Sequence, residues 1–105
     1  MEKLFPTHVV AEIHFIPTAE GGKKLQLTRS LFGCPLNLNG DYFDMRIDLS
    51  EVGIVSPGDT VRVPMAFLSP ELILPRLRVG SEFTLWEGRT VARGRVTEIS
   101  PPKNA

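Results

Sequence analysis

Hydrophobic and polar residues alternate along most of this chain. The cleanest alternation spans residues 41–49. Phe43, Met45, Ile47 and Leu49 share one parity, and Asp44, Arg46 and Asp48 the other. A period of two is that of a strand with one buried face. Residues 8–17 repeat it, with Ala11, Ile13 and Phe15 against Glu12 and His14, until Pro17 ends the run. Residues 60–68 do so again, with Val61, Val63, Met65 and Phe67 inward. Pro64 falls on the outward parity and cannot donate a ladder hydrogen bond, so this strand is expected to lie at an edge or to bulge there. A weaker alternation sets Leu25, Leu27 and Leu31 against Gln26, Thr28 and Ser30, with Arg29 on the apolar parity. It predicts a strand ending near Phe32.

The C-terminal stretch, residues 79–99, holds two apolar runs separated by Glu87-Gly88-Arg89. Phe83 and Leu85 alternate with Glu82, Thr84 and Trp86. Past the turn, Val91, Ala92, Val96 and Ile99 are interleaved with Arg93, Arg95 and Glu98. The β-branched residues and the glycines predict a β-hairpin rather than a helix. The apolar phase slips near Gly94, which predicts a bulge or a close approach by another strand. A lone hairpin is unstable in water, so the upstream strands must complete a sheet around it. Between the strands, residues 18–24 read as a turn with Gly21-Gly22. Residues 33–40 (GCPLNLNG) read as a loop, and residues 50–59 as a connector with a Pro57-Gly58-Asp59 turn. Residues 69–78 read as a loop carrying Leu72, Ile73, Leu74 and Leu77. The total is about six strands, and closure into a small antiparallel barrel would remove their edges. The expected architecture is therefore all-β, a single six-stranded antiparallel barrel with its core in residues 8–99 and flexible ends at 1–7 and 100–105.

Composition agrees with that class. The chain has 105 residues, of which 42% are hydrophobic, enough for the core of one domain. Nine glycines and nine prolines favour short strands and turns over a helical bundle. There is no long apolar run and no signal-peptide pattern at the N-terminus, so no membrane span is expected and a cytoplasmic location is. A single cysteine, Cys34, excludes an intramolecular disulfide. Twelve basic and twelve acidic residues cancel, which argues against a dedicated nucleic-acid binder. The charge is uneven along the chain. Residues 1–59 carry five basic and eight acidic side chains, a balance of −3, and residues 60–105 carry seven and four, a balance of +3. That split fits either a basic face or a mixed solvated surface.

The hairpin sequence EFTLWEGRTVARGRVTEI resembles the end of the third, C-terminal domain of elongation factor Tu and related translational GTPases. That family closes on an F-x-[IL]-R-E-G-G-R-T-V-G-x-G-x-V pattern. Two earlier pieces fit in the same order. VAEIHFIPTAEGG, residues 10–22, resembles the domain's first strand and E-G-G turn. SPGDTVRV, residues 56–63, resembles its P-G-D-x-V turn and the strand after it. With the loop at residues 68–70, the likeness runs from about residue 9 to residue 99 and is weakest over 24–41. It implies a barrel of that domain's kind, as a stand-alone protein without the GTPase domain.

Chemistry for catalysis is not legible. A translational GTPase carries a phosphate loop, G-x-x-x-x-G-K-[ST], and this chain has none, so no GTP binding is expected. His8 and His14 are six residues apart, and with Cys34 they could be drawn as a Cys-His pair, but nothing in the sequence orients them. Asp41, Asp44 and Asp48 have the spacing of a strand and not of a calcium loop. The expectation is no enzyme, no metal and no cofactor.

Binding is where the resemblance points. In that family the third domain contacts the T stem of aminoacyl-tRNA and also packs on protein partners. Carried over by position, its first turn corresponds to Lys23 and Lys24, both able to meet a phosphate. Its closing hairpin corresponds to Trp86, Glu87 and Gly88, with Arg89 beside them. Trp86 stands where the family has an arginine. An exposed Trp86 would anchor a protein partner or stack on a base, and the alternative is packing under residues 69–78. Arg93 and Arg95 share a face that either extends a basic patch with Arg89 or is simply solvated. The expected function is a non-enzymatic binding module that acts through a protein partner in translation. The alternative is an RNA-binding protein that reads the tRNA T stem. Its candidate binding residues are Lys23, Lys24, Trp86, Glu87, Gly88 and Arg89.

Overall fold

In a computed structural model, which describes residues 7–20 and 30–100, six strands close into an antiparallel barrel. They are β1 (Val9–Phe15), β2 (Leu31–Leu38), β3 (Asp41–Asp48), β4 (Thr60–Phe67), β5 (Glu82–Trp86) and β6 (Thr90–Ile99). Their order around the barrel is β1-β4-β3-β2-β5-β6. A short helix, α1 (Pro70–Ile73), and a single 3₁₀ turn, Leu74–Arg76, join β4 to β5. No helix among the described residues is long and apolar enough to cross a membrane.

The alternation read from the sequence is largely the alternation of burial, except that Phe43 and Val61 are only half-buried and Ile99 is exposed. Ala11, Ile13 and Phe15 are buried, while Glu12 is exposed and His14 half-buried. Met45, Ile47 and Leu49 are buried, and Val63, Met65 and Phe67 are buried beside them on the neighbouring strand. Asp44 is exposed, and Arg46 and Asp48 are half-buried on the outside. No polar or charged residue is buried among the described residues. Ile73 and Leu77, from the segment after β4, enter the same core. Val55, from the connector between β3 and β4, does too.

The second strand departs from the sequence reading. Residues 33–40 were expected to be a loop, and β2 instead runs through them from Leu31 to Leu38. Phe32, Cys34, Leu36 and Leu38 are its buried parity. Gly33 and Pro35 act as breakers only where both sides of a strand must pair. The ladder with β5 covers only Leu36 and Asn37, so Pro35 lies outside it. Asn39 and Gly40 have φ of 52° and 94° and form a two-residue hairpin turn closed by the pair Leu38–Asp41. The Asn37 side-chain oxygen accepts the Gly40 N–H at 2.8 Å. The strand proposed over residues 25–32 overlaps β2 only at Leu31 and Phe32. Ser30 is a bend ahead of β2, and residues 25–29 and the Gly21-Gly22 turn lie outside the described residues.

Three smaller differences have local causes. Pro64 is neither at an edge nor at a bulge. It sits opposite Val10 in the β1 ladder, and the β3 ladder stops one residue away, at Met65. Residues 69–78 are helical turns rather than an open loop, with Pro70 in the first turn of α1 and Pro75 in that of the 3₁₀ segment. In β6 the phase slips at Val91 and at Thr97, not at Gly94. Trp86 pairs with Thr90 and Leu85 with Ala92, so Val91 is the extra residue. Val10 pairs with Glu98 and Ala11 with Val96, so Thr97 is the other. Gly94 keeps regular register with Ile13 and Phe83. The close approach there is a side chain, because the Phe83 ring occupies the space where a Cβ on residue 94 would sit.

Candidate functional site

The outer surface of the barrel carries the candidate site. β5 is short and ends at Trp86, which its parity turns outward, and Trp86 is 41% exposed. Tyr42, on the outward parity of β3, is 54% exposed. The two rings meet edge to face, with centroids 6.4 Å apart and planes inclined by 74°. Such contacts stabilise the pair, and both residues remain exposed. Trp86 therefore packs on Tyr42. Residues 69–78 engage β3 by other means, since Arg76 donates to Asp41 at 2.8 Å and lies over the Phe43 ring at 5.5 Å.

Beyond Trp86 the chain turns. The Glu87 N–H donates to the Arg89 carbonyl at 2.8 Å, and Gly88 has φ of 73°, a conformation that favours glycine. Glu87, Gly88 and Arg89 are all exposed. The fold thus brings four of the sequence-derived candidates, Trp86, Glu87, Gly88 and Arg89, to one end of the β5–β6 hairpin. Lys23 and Lys24 lie outside the described residues. Tyr42 was not singled out in the sequence, because its relation to Trp86 crosses β2, which lies between β3 and β5.

Strand register assembles the polar residues beside this pair into two rows. One row runs Thr60, His14, Arg93, Thr84, Asn37, Tyr42 across β4, β1, β6, β5, β2 and β3. The other runs Arg62, Glu12, Arg95, Glu82 across β4, β1, β6 and β5. A groove of about 600 Å³ lies over the first row from His14 to Asn37 and over the second from Glu12 to Glu82, with Asn39 and Gly40 also lining it. In the second row the charges alternate in sign. Arg95 approaches Glu12 at 3.7 Å, and Arg62 forms an ion pair with Glu98. In the first row Arg93 is the one guanidinium, and the His14 Nδ1 lies 2.9 Å from the Thr60 hydroxyl.

The groups considered for catalysis are held apart. Cys34 is buried on the inner face of β2, and His14 points outward from β1. His8 has its Nδ1 on the backbone N–H of Phe67 at 3.0 Å. Burial lowers its pKa from the ordinary 6.5. Among the described residues no three His, Cys, Asp or Glu side chains converge on a common point. Asp41, Asp44 and Asp48 are spread along β3, and Asp48 accepts from both the N–H and the hydroxyl of Ser50. The exposed Tyr42–Trp86 pair lies next to the groove lining, with Tyr42 opposite Asn37 and Trp86 two residues on from Thr84. No protein-family model and no curated protein matches the chain.

Proposed function

We propose that this barrel is a non-enzymatic binding module whose protein partner docks on the outer face around Tyr42 and Trp86. The observation that carries the reading is their edge-to-face contact on the exposed outer face of the barrel. Tyr and Trp are the side chains most enriched at the energetic centres of protein interfaces. They offer large area at little entropic cost, and a polar rim excludes water around them. The surrounding Thr84, Asn37, Arg93 and Glu82 supply such a rim. The likeness of the hairpin and of the two earlier motifs to the third domain of elongation factor Tu supports a role in translation for a barrel of that kind.

Structured RNA, and specifically a tRNA T stem, is the alternative occupant. It is favoured by the grouping of Trp86 with Arg89 on the hairpin and by Lys23 and Lys24 at the family's RNA-contacting turn. A stacking ring flanked by cations suits a nucleic acid. Two features weigh against it. Net charge is zero, so no long-range attraction assists, and Glu87 lies beside the ring.

Affinity capture from native lysate, with and without nuclease, separates the two. For the protein reading, one partner is retained after nuclease treatment. Purified and titrated back, it binds the parent but loses at least about tenfold in affinity for Trp86→Ala. For RNA, capture is lost to nuclease and affinity falls steeply with salt. The Lys23→Ala, Lys24→Ala double variant then lowers the slope of log affinity against log salt by about 2, one per phosphate contact. That second outcome replaces the protein reading.

A further inference from the structure

The groove is lined by two charges of each sign, Glu12, Glu82, Arg93 and Arg95, and two of them have no ion pair among the described residues. Arg95 is paired with Glu12. Arg93 and Glu82, which line the same groove, form no ion pair among the described residues. Register fixes how they are placed. Arg93 is opposite Thr84 and Arg95 is opposite Glu82, so Glu82 lies one strand across and two residues along from Arg93. Two residues along a strand is about 7 Å, and neighbouring strands are about 4.8 Å apart. The diagonal from Arg93 to Glu82 is therefore about 8.5 Å, and an extended peptide presents side chains i and i+2 on one side about 7 Å apart, close enough for long side chains to reach both.

We propose that the groove receives an extended segment of the partner protein. That segment carries an acidic residue over Arg93, a basic residue two positions away over Glu82, and an apolar side chain on the Tyr42–Trp86 pair. The proposal rests on the reading of the aromatic pair as a protein anchor, and it names the chemistry of what is anchored. Charge complementarity selects the occupant. The charges of a nucleic acid are all negative, and a strand of phosphates filling the groove would lie against Glu12 and Glu82 as well as Arg93. A segment of mixed charge meets each ion with its opposite, and a segment with the two charges exchanged meets each with its like. That gives the groove direction as well as affinity. The first row supplies hydrogen-bonding neutrals, Asn37 and Thr84, between the charge sites and the rings.

The test is selection of a random-peptide display library on the immobilised protein, run on the parent, Arg93→Glu and Trp86→Ala, with melting temperatures confirming that each variant is folded. The expected peptides carry an acidic residue and a basic residue two positions apart beside an apolar residue. The best of them should lose at least about tenfold in affinity for Arg93→Glu. The double variant Glu82→Arg, Arg93→Glu should bind the same peptide with its two charges exchanged. Peptides without a charge pattern, equally bound by the parent and Arg93→Glu but lost by Trp86→Ala, overturn this inference and leave the aromatic anchor standing. Peptides that follow the charge pattern but bind Trp86→Ala as they bind the parent overturn the anchor instead. Failure to enrich any peptide, or displacement of the selected peptides by a 20-nucleotide RNA at physiological salt, overturns both.

Discussion

The Nδ1 atom of His8 accepts the backbone N–H of Phe67 at 3.0 Å, and the two rings lie stacked with centroids 6.2 Å apart. The backbone of His8 is tied as well. Its N–H donates to the Met65 carbonyl at 3.0 Å, and its carbonyl accepts the Ser100 N–H at 2.9 Å. One residue therefore joins the start of β1 to the end of β4 and to the residue that follows β6.

This arrangement makes stability depend on pH. Nδ1 can accept only when it carries no proton, and burial lowers the pKa of His8 below 6.5. The folded protein thus binds fewer protons than the unfolded chain between the folded value and 6.5. The contribution of His8 is complete above pH 6.5 and is lost as pH falls through the folded value. Urea denaturation of the parent and of His8→Gln across pH 5 to 8 measures it. The parent should lose stability below pH 6.5 by an amount that His8→Gln does not, on the scale of one hydrogen bond, about 1 kcal/mol. Parallel pH profiles for the two proteins would remove His8 as the cause.

Two glycines in strands should respond differently to a methyl group. A Cβ at position 94 would come within 2.3 Å of the Phe83 ring, which is buried and cannot yield. A Cβ at position 33 would meet the Arg46 side chain at 2.5 Å, and that side chain is a flexible tail on the outer face. Gly94→Ala should cost about 1–3 kcal/mol or more. Gly33→Ala should stay within about 1 kcal/mol of the parent, since Arg46 gives up only its bond to the Met45 carbonyl. Equal melting temperatures for the two variants would contradict the placement of Phe83.

Ile47 tests the core directly. It is fully buried in the middle of the β3 inward parity and pairs with Phe32 on one side and Met65 on the other. Ile47→Ala should cost about 2–5 kcal/mol, read as a fall in the denaturation midpoint at unchanged slope. Asp44→Ala, on the outward parity of the same strand, should change stability by no more than about 0.5 kcal/mol.

The strands that could be read from the sequence are those whose reason is local. β1, β3, β4 and the β5–β6 hairpin show their parity in consecutive residues. β2 shows the same parity in Phe32, Cys34, Leu36 and Leu38, and Asn39-Gly40 is a strong hairpin signal. Gly33 and Pro35 hid it, because both are ordinary breakers. Position 33 is small because Arg46 crosses it, and position 35 tolerates proline because the β5 ladder has not begun. Neither reason is visible without the neighbouring strand. Gly94 is similar: the disturbed phase was legible, but its location depends on where β1 and β5 pair with β6. At the candidate site Trp86 was legible as an outward aromatic. Tyr42 and the two charge rows were not, since they exist only once the barrel order sets β3, β2, β5, β6 and β1 side by side.

The β2–β3 hairpin is unevenly attached. Its own ladder runs over eight residue pairs, from Leu31–Asp48 to Leu38–Asp41. It joins β5 through only Leu36–Leu85 and Asn37–Thr84, and β4 through only three pairs. The opposite wall is firmer, with β1 bonded to β4 over six pairs and to β6 over seven. Backbone amides at the β2–β5 seam will therefore exchange with solvent sooner than those of β1, as the hairpin opens ahead of the global transition. Tyr42 rides on that hairpin and Trp86 on the wall it opens from. Anything gripping both rings acts as a clasp across the seam, so occupancy of the site and slow exchange at Leu36 and Leu85 rise and fall together.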